Sequence, residues 1–121
     1  MSLLKFIFIF LIGFITWGSL TPNPPQSAFT LGDFFAHFVG YFVIASAWYL
    51  DRLAKPSYAA ALAIFVYSIA IELIQEHLVP GRDGSIEDSL ANAAGVIVGW
   101  LLSVQVIKDW LWQRYDKRSS K

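Results

Sequence analysis

SYAAALAIFVYSIAIELIQEHLVPGRDGSIEDSLANAAGVIVGWLLSVQVI, residues 57–107, holds two apolar runs with a polar turn between them. At about 1.5 Å per helical residue, each run crosses a hydrocarbon core roughly 30 Å thick. Pro80 has no amide hydrogen to continue a helix and Gly81 follows it, so the first run ends there, at about residue 79. Ser85 with Asp88 three residues later resembles a capping box, with Asp88 in place of the usual glutamate, and starts the second run near Ile86. The pattern predicts a helical hairpin that spans a membrane twice.

Upstream, the same reading gives two more spans. Residues 3–20 are apolar apart from Lys5 and a few small or hydroxyl side chains, and Pro22, Pro24 and Pro25 close the run. Residues 34–50 follow. Asp33 is expected as the N-cap, where its charge suits the helix dipole, and Asp51, Arg52, Lys55 and Pro56 end the span. Short connections make the helices alternate in direction. The expectation is an all-α membrane protein, an up-down bundle of four transmembrane helices (about 3–20, 34–50, 57–79 and 86–107). These form a single domain over residues 1–121 with a basic tail over 113–121. The first span is expected to be retained, because it is long for a signal peptide and Thr16-Trp17-Gly18 is a poor cleavage site.

Composition supports lipid as the solvent. Charged residues make up 15% of the chain and hydrophobic ones 56%, with a mean hydropathy of +0.53. A soluble domain carries roughly 25% charged residues. Too few polar side chains remain to cover a soluble bundle. The absence of cysteine excludes a disulfide framework, a thiolate metal site and a cysteine nucleophile. The basic residues sit in short groups beside apolar segments, which argues against nucleic-acid binding.

Charge also sets an expected orientation. Of the 9 Lys and Arg residues, only Arg82 falls on the side away from the termini. The excess of positive charge predicts both termini in the cytoplasm. Tyr49, Tyr58, Trp110, Trp112 and Tyr115 are expected as an aromatic belt at that interface.

On the opposite side three spans carry polar residues at one depth. Asp33 and His37 are four apart on the second span; Glu72, Gln75 and Glu76 share a face of the third; Asp88 and Asn92 are four apart on the fourth. Glu72 lies about 10 Å inside its helix end, and His37 and Asn92 about 6 Å inside theirs. Ionisable groups at such depth face the bundle interior or a wet cavity and pair with one another. Arg82 is the expected partner of Glu72, Glu76 or Asp88. Asp33, Ser85 and Asp88 also fit simple caps, but Glu72, Gln75, His37, Asn92 and Arg82 cannot all be caps. The predicted pocket therefore has His37 and Glu72 as candidate acid and base. Arg82 stands on a Pro-Gly-Arg-Asp-Gly turn suited to an anionic head group. No cofactor is predicted. A divalent metal held by His37, Glu72, Glu76 and Asp88 is the one alternative of that kind, since imidazole and carboxylate suit zinc or manganese.

Ala91, Gly95 and Gly99 form a small-xxx-small ladder that lets another helix approach closely. Its partner is expected to be the second span, the third, or a second copy of the chain. Asp33, His37 and Gly40 also match Asp88, Asn92 and Gly95 in spacing, which suggests a duplicated hairpin.

Asp33, His37-Phe38 and Tyr41, then Glu72 and Gln75, then Pro80-Gly81-Arg82, then Asp88, Asn92, Gly95 and Gly99 together resemble the VanZ-like family. The likeness covers roughly residues 16–107. These are small bacterial membrane proteins, named for a member associated with resistance to the glycopeptide teicoplanin. The family often has a lysine after the first aspartate; here that position is Phe34. The resemblance implies four helices and a place in the bacterial cytoplasmic membrane, and it adds Asp33 and Tyr41 to Gln75, Glu76, Arg82, Asp88 and Asn92 as binding residues. It supplies no reaction. Three functions compete: binding or processing of an anionic envelope lipid or isoprenoid-linked precursor; hydrolysis or transfer by Glu72 and His37; and a non-catalytic subunit docking through the Gly95/Gly99 face.

Overall fold

The computed structural model of the protein describes residues 2–20, 31–52, 58–78 and 86–119, with the side chains of residues 31–33, 52 and 119 outside the description. Four helices make up this part of the chain: α1 (Leu3–Leu20), α2 (Leu31–Arg52), α3 (Ala59–Leu78) and α4 (Ile86–Ser119). Each is long and apolar enough to cross a membrane. Among the described residues there is no strand.

The distribution of side chains is that of a protein dissolved in lipid. Phe6, Phe10, Phe14 and Trp17 form a run of neighbouring rings along one exposed face of α1, and Leu62, Val66, Leu73, Ile97 and Leu101 are exposed on α3 and α4. Ser68, Glu72, Gln75, Asn92 and Ser103 are buried instead. A water-soluble bundle would invert this arrangement, since exposed apolar area of this extent is a liability in water.

The centre of the bundle is the α2–α4 pair, and the glycine ladder explains why. A Cβ placed on Gly95 would overlap the Phe38 carbonyl oxygen and sit 3.0 Å from the Phe42 amide nitrogen. One placed on Gly99 would lie 2.7 Å from the Phe42 carbonyl oxygen and 3.1 Å from Ala45 Cβ. Ala91 is fully buried. The ladder therefore faces the backbone of α2, which removes it as a free docking face. Tyr41, Ile44, Ala45 and Tyr49 of α2 pack with Ala61 and Ile64 of α3 and Val96 of α4 to form the core. Helix α1 lies against α2 and α3, and none of its residues is buried.

Hydrogen bonds pin the helix ends. Ser2 caps α1 by accepting the Lys5 amide hydrogen at 3.1 Å, and its hydroxyl also donates to Asp51 at the far end of α2. Tyr49 is not part of an exterior belt. It is 2% exposed, and its hydroxyl oxygen accepts the Ala61 amide hydrogen at 2.9 Å. That amide is one of the first-turn donors of α3 that have no partner within the helix. Tyr58, Trp112 and Tyr115 are exposed, as a belt requires. Tyr49→Phe is expected to cost about 0.5–1.5 kcal/mol, the worth of one such bond. Unfolding in detergent mixtures measures it, and an unchanged midpoint would show that the hydroxyl caps nothing.

Five boundaries differ from the sequence expectation, two of them slightly: α2 ends at Arg52 and α3 at Leu78. Helix α2 starts at Leu31, so Asp33 is the third residue of the helix and not its N-cap. Helix α3 starts at Ala59, two residues late. Helix α4 continues to Ser119, so the basic stretch after Trp112 is a helical extension. At about 1.5 Å per residue α4 is roughly 50 Å long, well beyond a 30 Å hydrocarbon core. Arg114, whose guanidinium lies 4.6 Å from the Trp110 ring, suits the emergent part. The positions matched in spacing between α2 and α4 meet different neighbours in the bundle. His37 and Asn92 hydrogen-bond to each other, but Gly95 meets the α2 backbone while Gly40 faces Ile15 of α1.

Candidate functional site

The site lies at the end of the bundle where α2 and α4 begin and α3 finishes. Helix α2 contributes His37, one and a half turns in; α4 contributes Asp88 and Asn92 from its first two turns; α3 contributes Glu72, Gln75 and Glu76 from its last two. Close α2–α4 contact at Gly95 brings the two helix starts together directly above it.

His37 Nδ1 lies 2.9 Å from Asn92 Oδ1. A carbonyl oxygen only accepts, so Nδ1 carries the hydrogen. Asn92 is 2% exposed and holds the ring in place. The opposite nitrogen, Nε2, lies 3.6 Å from Asp88 Oδ1. Glu72 is buried, and one ligand atom each from His37, Glu72 and Asp88 all fall within 4.8 Å of one another. Three helices thus deliver an imidazole and two carboxylates to one point. Tyr41, also buried, is within electrostatic range of Glu72 and Tyr67 just below.

The remaining predicted residues divide. Gln75 is buried and its amide nitrogen donates to the Ser19 carbonyl at 2.9 Å, which satisfies a last-turn carbonyl of α1. Glu76 is exposed. With Glu72, Glu87, Ile69, Leu73 and Ile86 it lines an open groove of about 560 Å³ between α3 and α4. Further along the same seam, a second groove of about 370 Å³ is almost wholly apolar, with Ala61, Phe65, Ala93, Val96 and Trp100 among its walls. Asp33 stands in the first turn of α2, with its side chain outside the description, and Arg82 and Ser85 lie outside the described residues altogether. Gly95 and Gly99 pack against α2, Ala91 is fully buried, and none of the three lines the groove.

One polar group was not foreseen. Thr16 bonds to the Tyr67 hydroxyl, and both hydroxyls reach the Ile12 carbonyl, at 2.7 and 3.2 Å. This ties α1 to α3 between their ends. The signal was present in the sequence as a threonine and a tyrosine inside apolar runs, but hydroxyls are common there and spacing does not pair them.

Residues 2–108 match the protein family described as VanZ/LLP1. No curated protein and no solved structure matches the chain.

Proposed function

From membership of the VanZ/LLP1 family, to which this chain belongs, we propose an envelope membrane protein that binds or processes the head group of an anionic lipid or isoprenoid-linked precursor. In this reading both termini are cytoplasmic, as the lysine and arginine bias requires, and the site opens on the outer side of the bacterial cytoplasmic membrane.

The observation that carries the proposal is the α3–α4 seam. Its outer part sets Glu72, Glu76 and Glu87 among Ile69, Leu73 and Ile86; its deeper part is almost wholly apolar. A head group above and a chain below is the shape of a lipid. Burying ionisable groups in a membrane is costly, and they persist there mainly for function. An anionic head group also needs a counter-charge near these carboxylates. Arg82, in the sequence between α3 and α4, is the sole Lys or Arg between positions 56 and 107.

Native mass spectrometry from mild detergent tests this. The wild type is expected to carry a defined lipid mass that a Glu72→Gln, Arg82→Ala double variant loses while still folded. A bare wild type, or equal retention in the variant, removes the proposal.

The convergence of His37 and Glu72 also favours a second reading, hydrolysis or transfer with Glu72 as base and His37 as acid. It predicts a bell-shaped pH dependence of turnover. Turnover of the retained lipid that persists in Glu72→Gln would exclude it. Docking through Gly95 and Gly99 finds no support, because α2 occupies that face.

A further inference from the structure

We infer that His37, Glu72 and Asp88 form a site for one divalent metal ion of the zinc or manganese class, which in turn holds a phosphate oxygen of the head group. The metal site stands on its own geometry; the bridging role rests on the head-group reading above.

The first argument is convergence of lone pairs. The Asn92 bond places a hydrogen on His37 Nδ1, which leaves Nε2, 3.6 Å from Asp88 Oδ1, as the ring nitrogen that a metal would take. The Glu72 carboxylate joins them within 4.8 Å. Three electron-rich atoms at this spacing, partly or wholly out of solvent, favour a positive charge among them. The spacing suits a metal. Ligands at about 2.0–2.2 Å from one ion stand roughly 3.3–3.6 Å apart in a tetrahedral site, so the His37–Asp88 spacing already fits and the widest gap closes by about 1 Å through side-chain rotation.

The second argument is the support around the ligands. Metal-bound histidine nearly always donates its other ring hydrogen to a fixed acceptor, and the buried Asn92 side chain is that acceptor here. The three ligands come from three helices whose mutual positions are set by Gly95 and by the core, so the site is held rigidly. Three protein ligands leave open positions, as in ion sites that bind substrate. An imidazole with two carboxylates suits zinc or manganese, whereas calcium and magnesium prefer oxygen alone.

The third argument is charge. The groove beside the cluster is walled by Glu72, Glu76 and Glu87. A phosphate placed there meets like charge, and an ion at the cluster would reverse the local sign. Free phosphate has the same chemistry as a lipid's phosphate, and the experiment separates the two.

The test uses the full chain in mild detergent. Metal-stripped protein is titrated with Mn²⁺ alone, and the bound ion is examined by electron paramagnetic resonance. The wild type is expected to bind one equivalent with nitrogen coupling from the His37 ring. His37→Gln and Asp88→Asn should each weaken binding more than tenfold, Asn92→Ala by roughly 10–100-fold, and Glu76→Gln and Glu87→Gln not at all. No binding by the wild type, binding without nitrogen coupling, or binding that follows Glu76 and Glu87 would overturn the site, and the nitrogen signal decides the matter even if a ligand variant fails to fold. Bridging is then read from lipid retention and from the effect of inorganic phosphate on the Mn²⁺ spectrum. Lipid lost on chelation and regained with Mn²⁺ supports a lipid head group. A spectrum changed by inorganic phosphate, with no lipid held in any state, overturns the head-group reading and leaves a metal-phosphate site. Lipid that stays after chelation overturns the bridge alone.

Discussion

Gly95→Leu is expected to abolish the folded bundle. A single added carbon at this position already overlaps the Phe38 carbonyl oxygen and crowds the Phe42 amide. Both are backbone atoms, so no side chain can swing away to make room. Leucine adds three further carbons and forces α2 and α4 apart. That separation opens the core at Tyr41, Ile44 and Val96 and pulls His37 from Asn92. Overpacking a tight contact costs about 1–3 kcal/mol when neighbours can adjust, and more when backbone must move. A loss above about 4 kcal/mol is most of the stability of a small domain. Gly13→Leu is the control. Nothing lies within 4 Å of a Cβ at Gly13, and leucine favours a helix over glycine by roughly 0.5–1 kcal/mol. Size-exclusion profiles and thermal unfolding in detergent should show Gly95→Leu aggregated and Gly13→Leu intact. A monodisperse Gly95→Leu protein with the wild-type melting temperature would mean that the ladder does not face α2.

Glu72→Leu is expected to separate stability from function. The carboxylate is 7% exposed in a chain whose surroundings are lipid. A buried charge is held at a cost, and replacing one by an apolar residue of similar size is often neutral or stabilising by about 1–4 kcal/mol. His37 and Asp88 stay within 3.6 Å of each other on α2 and α4, helices that Glu72 does not belong to. Leucine also suits the adjoining walls of Ile69 and Leu73. The melting temperature should therefore hold or rise by several degrees, while retention of a head-group lipid falls at least tenfold. A residue kept despite its cost to stability is retained for what it does. A variant that melts earlier yet keeps its lipid would make Glu72 a structural tie between helices.

The sequence carried much of this. The four spans were legible because hydropathy is a local property: a run of apolar residues of sufficient length has one comfortable place, whatever its neighbours do. The polar positions were legible for the same reason, since Glu72, Gln75 and Asn92 interrupt runs that otherwise contain almost nothing but aliphatic and aromatic side chains. Helix ends were read less well. Asp33 has the character of an N-cap, yet α2 begins at Leu31, because a favourable cap residue does not forbid an earlier start. Tyr49 has the character of a belt residue, yet it turns inward to meet Ala61, because a tyrosine near an interface can satisfy its hydroxyl in either direction.

By itself, then, the sequence determined the number of spans, their lipid environment, their family and the small set of polar residues placed at one depth. Tertiary structure alone decided how those residues face one another. A glycine ladder permits close approach by any helix, and only the packed bundle directs it to α2. Gln75 donates to the Ser19 carbonyl at 2.9 Å, a partner at the end of α1 that the spacing along α3 does not reveal. His37, Glu72 and Asp88 form a triad because three helices are rotated and spaced to bring them together. Rotation and spacing depend on contacts between segments far apart in the chain, and a pattern read along one segment contains no record of them.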